Sequence, residues 1–290
     1  MKKRLFFSAA LLVAGMALFS CTDDNKKPAT DPNLDVSAPT SPQDKKVLVE
    51  IFTGNQCELC PNAHRMVNGL MTTYPGKVFC VNIHTSPAAT AYTTDFSAEL
   101  FTNAQSTGFP TSTVNRFYFR DITLDTLNEA TAISYEYLGN AANRIMGQPA
   151  DANIVAKAVI DTNERQLTVA VAVYYFGQDT VNATHKLNVA LLEDSIWGEQ
   201  AGGSVNNPTQ YDFYLGRYCH MHTLRHLVTG QWGDDIVPYT GQQIIRNYTY
   251  TIPEQISDVD VVLSHLKVIA FVARSENDVI NVCEAPIVIK

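Results

Sequence analysis

The sequence predicts an α/β domain followed by an antiparallel β-sandwich domain, on three observations. An apolar, β-branched run, VLVEIF (47–52), leads through a turn into a segment with helical periodicity, and further strand-like runs follow it. From about residue 152 the chain becomes a series of β-type runs separated by short turn signals, with no long helix between them. Composition shifts at Gly147-Gln148-Pro149, which divides the body into residues 46–148 and 149–290.

In the first domain, TGNQ (53–56) is a turn and CELCPNAHRMVNGLMTTYPG follows it. Ala63, Met66, Val67, Leu70 and Met71 recur at three- and four-residue spacing, so they share one face of a helix that Gly76 ends. VFCVNIH (78–84) reads as a second strand, DFSAELFTNAQST (95–107) as a helix, and GFPTSTVNRFYF (108–119) as a turn entering a strand. A last helix is expected over residues 124–146. The order of these elements suits an α/β sheet domain.

In the second domain the strand candidates are NIVAKAVID, QLTVAVAVYYF, LNVALLED, NYTYTI, LKVIAFVAR and VINVCEAPIVI. Leu167, Val169, Val171 and Val173 alternate with other residues, the pattern of a strand buried on one face. Residues 211–236 resist this pattern and read as a long loop. Within it, His220 and His222 would face one side of a strand, a spacing that can hold a metal, with His226 a third imidazole nearby. No carboxylate or second cysteine pair completes that shell in the sequence, so packing in the loop is the preferred reading of these histidines.

The N-terminus sets the compartment. Residues 1–20 carry three basic residues and then an uncharged apolar run too short for a comfortable membrane span, the form of a secretory leader. The run ends in LFSC, which resembles a bacterial lipoprotein box. The resemblance implies that Cys21 is lipidated and holds the chain at a membrane, since each buried CH₂ contributes roughly 0.8 kcal/mol. Residues 21–45 have almost no large apolar side chains and read as a flexible acidic tether, with TDDN after Cys21 resembling an export signal to the cell surface. Removing a leader with three basic residues takes the formal charge from −8 to −11. So acidic a chain suits neither nucleic acid nor anionic headgroups as a partner. After the leader no segment is apolar enough to span a bilayer, and no motif calls for a cofactor.

Cys57 and Cys60 form a CxxC pair at the predicted start of a helix. Unpaired backbone N–H groups and the macrodipole there stabilise a thiolate. Glu58, between the two, opposes it. The same spacing serves a structural disulfide, or half of a zinc site that the His220–His222 region would have to complete. VLVEIF, CELCP and GFPT together resemble the thioredoxin fold. That resemblance implies that Cys57 attacks, Cys60 resolves, and Pro110 is a cis-proline packed against the pair. Two positions depart from it: Gln56 replaces the usual aromatic residue, and Glu50 is one residue further from Cys57 than that fold's buried carboxylate.

Of the remaining cysteines, Cys80 lies in a strand-like run and reads as a buried free thiol, while Cys219 and Cys283 could pair. The lipoprotein box, acidic tether, CxxC domain and HMHTLR…GQWGD together resemble the twenty-eight-kilodalton outer-membrane-protein family of Gram-negative lipoproteins. The resemblance implies a lipid-anchored protein of the outer membrane or cell surface. Two functions follow as alternatives: thiol–disulfide exchange with a protein or peptide substrate, or surface binding with a structural Cys57–Cys60 disulfide.

Overall fold

The computed structural model describes residues 34–176 and 183–290. The leader, Cys21 and tether residues 22–33 lie outside the described residues. The chain divides into Met1–Asp31 and Pro32–Lys290, and every element below belongs to the second unit.

The structure is mostly β-strand in several sheets, with few helices. In chain order the first half carries β1 (Val47–Thr53), α1 (Cys60–Thr73), β2 (Val78–His84), α2 (Ser97–Asn103), β3 (Thr111–Val114), β4 (Ile133–Ser134) and α3 (Leu138–Met146). The second half begins with β5 (Ala152–Asp161), β6 (Gln166–Tyr175), β7 (His185–Glu193), β8 (Ile196–Gly198) and the short α4 (Gly203–Asn206). It continues with β9 (Tyr211–Asp212), β10 (Arg217–His220), β11 (Thr223–Leu227), β12 (Asp234–Ile236) and β13 (Gln243–Thr251). Last come β14 (Gln255–Ile256), β15 (Val259–Asp260), β16 (Leu266–Ala273), β17 (Val279–Ala285) and β18 (Ile287–Ile289).

One large sheet runs β17-β16-β7-β11-β2-β1-β3-β4, with β12 paired to β7. It therefore passes without a break from the first half of the chain to the second. β1 pairs parallel with β2 and antiparallel with β3, and β11 pairs antiparallel with β7 and parallel with β2. The sheet coils until β17 comes back toward β1: Lys46 N donates to Asn281 Oδ1, and Asn115 bonds both Leu48 and Val279. All seven residues of β1 are buried, which explains why only Glu50 and Thr53 interrupt its apolar side chains.

Three cores follow from this topology. Val47, Val49 and Ile51 pack with Ala63 and Val67 of α1 and Ala141 and Ile145 of α3. The opposite face of β1 joins Leu48 and Phe52 to Val81 and Ile83 of β2, Leu192 of β7, Phe271 of β16 and Val282 of β17. The third lies between the large sheet and a four-stranded sheet, β13-β6-β5-β18, where Leu167, Val169, Val171 and Val173 meet Val189 and Val268. Each such Val, Leu or Ile contributes about 1.5–3 kcal/mol when fully buried. Because the second core draws on both halves, a cut at residue 148 would expose apolar surface on each.

Four expectations are corrected. Residues 34–45 are not free tether throughout: Val36 and Ala38 are buried against Ala170 and Ala172, the outer face of β6, and Asn153 Nδ2 donates to Pro39 O and Ser41 O. An alanine face on β6 leaves a shallow surface that a short extended segment can cover. Residues 211–236 are not a loop but contribute β9 to β12, and β11 is the strand that stitches the halves together. The helix expected over 124–146 forms only from Leu138, with β4 ahead of it. The second-half sheets are not wholly antiparallel, since β18 runs parallel to β5 after Pro286 breaks the β17 ladder.

Candidate functional site

β1 ends at Thr53, and Gly54–Gln56 turn the chain into the CxxC segment. Cys57 and Cys60 are joined in a disulfide with Cα atoms 5.4 Å apart. Cys60 opens α1 and is completely buried, while Cys57 is half-buried beside exposed Gln56, Glu58 and Leu59. The two residues thus differ in exposure, although they are three positions apart. Phe109–Pro110 is cis, and Pro110 is buried directly ahead of β3, whose Thr111 pairs with Phe52 near the end of β1. A second cis bond, Ser86–Pro87, lies in the loop that packs on the turn: Gln56 N donates to Ala88 O at 3.0 Å.

Residues that sequence reasoning missed hold the segment from the far half of the chain. Gln200 Nε2 donates to Gly54 O (3.1 Å) and Cys57 O (3.0 Å). Ala201 N donates to Asn55 O at 2.9 Å, and Asn206 Nδ2 to Glu58 O at 2.8 Å. Gly202, at φ +67, has no room for a Cβ, which would stand 2.1 Å from Glu58 O. The Gly202-Gly203 pair was the available sequence signal for this close approach.

Behind the disulfide lies a buried cluster of imidazoles and phenols. His64, on α1, is held between Thr53 Oγ1 (2.9 Å) and the Tyr218 hydroxyl (3.0 Å), which also accepts from Asn207 Nδ2. The His220 ring sits 4.6 Å from that of Tyr92 and 5.4 Å from that of His84. Burial pushes the imidazole of His64 down to about 3 and that of His220 to about 4, and holds His84 well below the ordinary histidine value. The cluster is therefore neutral at physiological pH.

The sequence-predicted residues are only partly brought together. His220 belongs to the buried cluster, whereas His222, at φ +53, is bound by Asp194; they do not share a strand face as expected. His226 stacks on Tyr250 at 4.2 Å. Among the described residues no group of three or more His, Cys, Asp or Glu is arranged to hold a metal ion. Glu50 is buried, but it lies on the face of β1 opposite α1, alternating with Val49 and Ile51, and its carboxylate takes a two-point contact from Arg116 at 2.8 and 2.6 Å. It is thus a structural partner of Arg116 rather than a neighbour of the cysteines. Cys219 and Cys283 are unpaired: one lies in β10, and the other belongs to β17 and faces the core between the sheets. Cys80 is a buried free thiol, as expected.

A family model described as outer membrane protein Omp28 matches residues 98–289, a span that includes Pro110 but starts beyond the CxxC pair. HBP35 of Porphyromonas gingivalis has a similar structure, with a TM-score of 0.65 at 17% identity over 84% of this chain and 76% of that one. A structural-genomics target from Agrobacterium tumefaciens superposes with a TM-score of 0.50 at 10% identity, covering 85% of this chain and 96% of that one. At such identities the likeness concerns the fold. No curated protein gives a significant match. Among the described residues no helix is long and apolar enough to cross a membrane.

Proposed function

Because this chain belongs to the Omp28 outer membrane protein family and so to the cell envelope, we propose that it is a lipid-anchored envelope protein that exchanges disulfides with protein or peptide substrates. The lipid is carried by Cys21. The observation that supports exchange most directly is the unequal access of the pair: half-buried Cys57 is open to attack, while Cys60 is sealed at the first residue of α1. In the oxidised form a substrate thiolate attacks Cys57 Sγ, and Cys60 departs as a thiolate favoured by the helix N-terminus. A second substrate thiol then attacks the mixed disulfide. The substrate gains a disulfide and the pair gains two electrons and two protons; the reverse sequence reduces a substrate. β1, α1, β2 and β3 with buried Pro110 resemble the thioredoxin arrangement, which supports the same reading.

The test is a trapping assay. Cys60→Ser, offered a peptide disulfide, should accumulate a mixed disulfide in which Cys57 has attacked one peptide sulfur and released the other as a thiol, and the unaltered protein should turn over an insulin-reduction assay. Absence of both would overturn exchange.

A second reading has its own support. Hydrogen bonds from Gln200, Ala201 and Asn206 fix the carbonyls around the pair, as a structural staple would require. Under that reading the chain is a surface binding protein, and the disulfide resists reductant until the protein unfolds.

A further inference from the structure

Cys219 and Met221 are two residues apart, and their sulfurs stand 3.7 Å from one another. Cys219 is half-buried and unpaired. Ser195 N donates to Met221 Sδ at 3.3 Å, which fixes the thioether. His222 follows directly; Asp194 Oδ1 accepts its backbone N–H at 2.7 Å and lies 3.2 Å from its Nδ1. Cys219, Met221 and His222 all line one cavity of about 620 Å³, with Trp197 and Met71 among its other walls.

Two sulfurs bound to one metal ion at about 2.3 Å each stand roughly 3.7–4.0 Å apart when the angle at the metal is near 110–120°. Cys219 Sγ donates a hydrogen bond to Met221 Sδ at the observed separation, and that contact already holds the two sulfurs at the spacing a shared metal ion would require. A thiolate beside a thioether is a soft donor pair, which selects monovalent copper over calcium or magnesium and makes a poor zinc site. A carboxylate on one ring nitrogen is the usual means of orienting a metal-binding imidazole, and with Nδ1 facing Asp194 the remaining donor is His222 Nε2. His, Cys, Asp and Glu alone form no such cluster among the described residues. The thioether is what distinguishes this place.

We propose that Cys219 and Met221, with His222 at the cavity wall, form a binding site for Cu(I). Binding replaces the Cys219 S–H bond by an S–Cu bond and releases one proton; no electron is transferred. The site is separate from Cys57 and Cys60, which offer no thiolate while they are joined.

The test is anaerobic titration of the full chain, oxidised at Cys57–Cys60, with Cu(I) in competition with bicinchoninate. One equivalent should bind. Cys219→Ser should weaken it by about 100-fold, and Met221→Leu and His222→Gln by about 10-fold each. A Cys57→Ser/Cys60→Ser double variant should retain the equivalent. X-ray absorption should show two sulfurs and one nitrogen on the copper, with one sulfur lost in Met221→Leu, a readout that serves even if Cys219→Ser fails to fold. The proposal is overturned if the unaltered chain retains no copper, if the double variant loses it, or if the copper has only nitrogen and oxygen neighbours.

Discussion

Arg225 Nε lies 3.0 Å from Glu193 Oε2, and each side chain is only 1% exposed. The pair sits where a bulge in β11 crosses β7. Arg225 Nη2 also donates to Ile256 O and Val259 O, while Glu193 Oε1 accepts from Val262 N. Removing one member leaves the other charge buried and unpaired, a cost of about 3–5 kcal/mol. Arg225→Met should therefore lower unfolding stability by about that much in urea. Glu193→Gln with Arg225→Met should cost clearly less than the two single changes added together.

Acid should weaken the fold through the imidazole cluster. In the unfolded chain His64 and His220 titrate near the ordinary 6.5; burial lowers them to about 3 and about 4. Their contribution is complete above pH 6.5. Below it the unfolded state takes up protons that the folded state refuses, so stability falls by about 1.4 kcal/mol per pH unit for each group. The decline runs to about pH 4 for His220 and about pH 3 for His64. Melting temperatures from pH 8 to 4 should fall, and His220→Gln should flatten the lower part of the curve. A flat profile in the unaltered protein would contradict neutral burial.

The thiols should separate by reactivity. After mild reduction of the native protein, iodoacetamide should modify Cys57 at least about tenfold faster than Cys60, since access differs while both need thiolate. Cys80 and Cys283 should resist labelling until unfolding. Burial raises both thiols, that of Cys283 to about 12, and leaves neither exposed. Peptide mapping by mass spectrometry reads all four positions at once.

Gly202→Ala tests the contact that holds the CxxC segment from afar. A Cβ at φ +67 is strained, and here it would also meet Glu58 O at 2.1 Å. A loss of about 1–3 kcal/mol is expected. If residues 199–206 restrain the pair, the same change should make the Cys57–Cys60 disulfide easier to reduce, which titration against dithiothreitol would record. Unchanged stability and reducibility would show that the loop gives way freely.

Much of the first half was legible because its signals are local. The helical spacing of Ala63, Val67 and Leu70 marks α1, and VLVEIF and VFCVNIH are apolar enough to announce buried strands. β11 was not, because polar residues dominate its sequence: Thr223, Arg225 and His226 hide two leucines, and the buried Glu193 makes Arg225 tolerable there. The same holds for the docking of Val36 and Ala38, since two small apolar residues among polar ones predict solvent until the alanine face of β6 is known. At the candidate site, the cysteines could be read from their spacing. Gln200 and Asn206 could not, because they reach the pair from about 145 residues away, as in Gln200 to Cys57 at a separation of 143, and only the Gly202-Gly203 pair hinted at the close approach.

The position of β11 also dictates an order of events during folding. β2 has only β1 beside it until residues near 223 arrive, and β7 likewise lacks its neighbour on that side. A growing or threading chain that has reached only residue 150 thus exposes an apolar strand edge, VFCVNIH, of the kind that pairs with other chains. Contacts of such long sequence separation close late, so the large sheet should assemble slowly and nearly all at once. A chain truncated before β11 should aggregate rather than yield a soluble first half, and a chaperone that shields β2 would have its greatest effect in that interval.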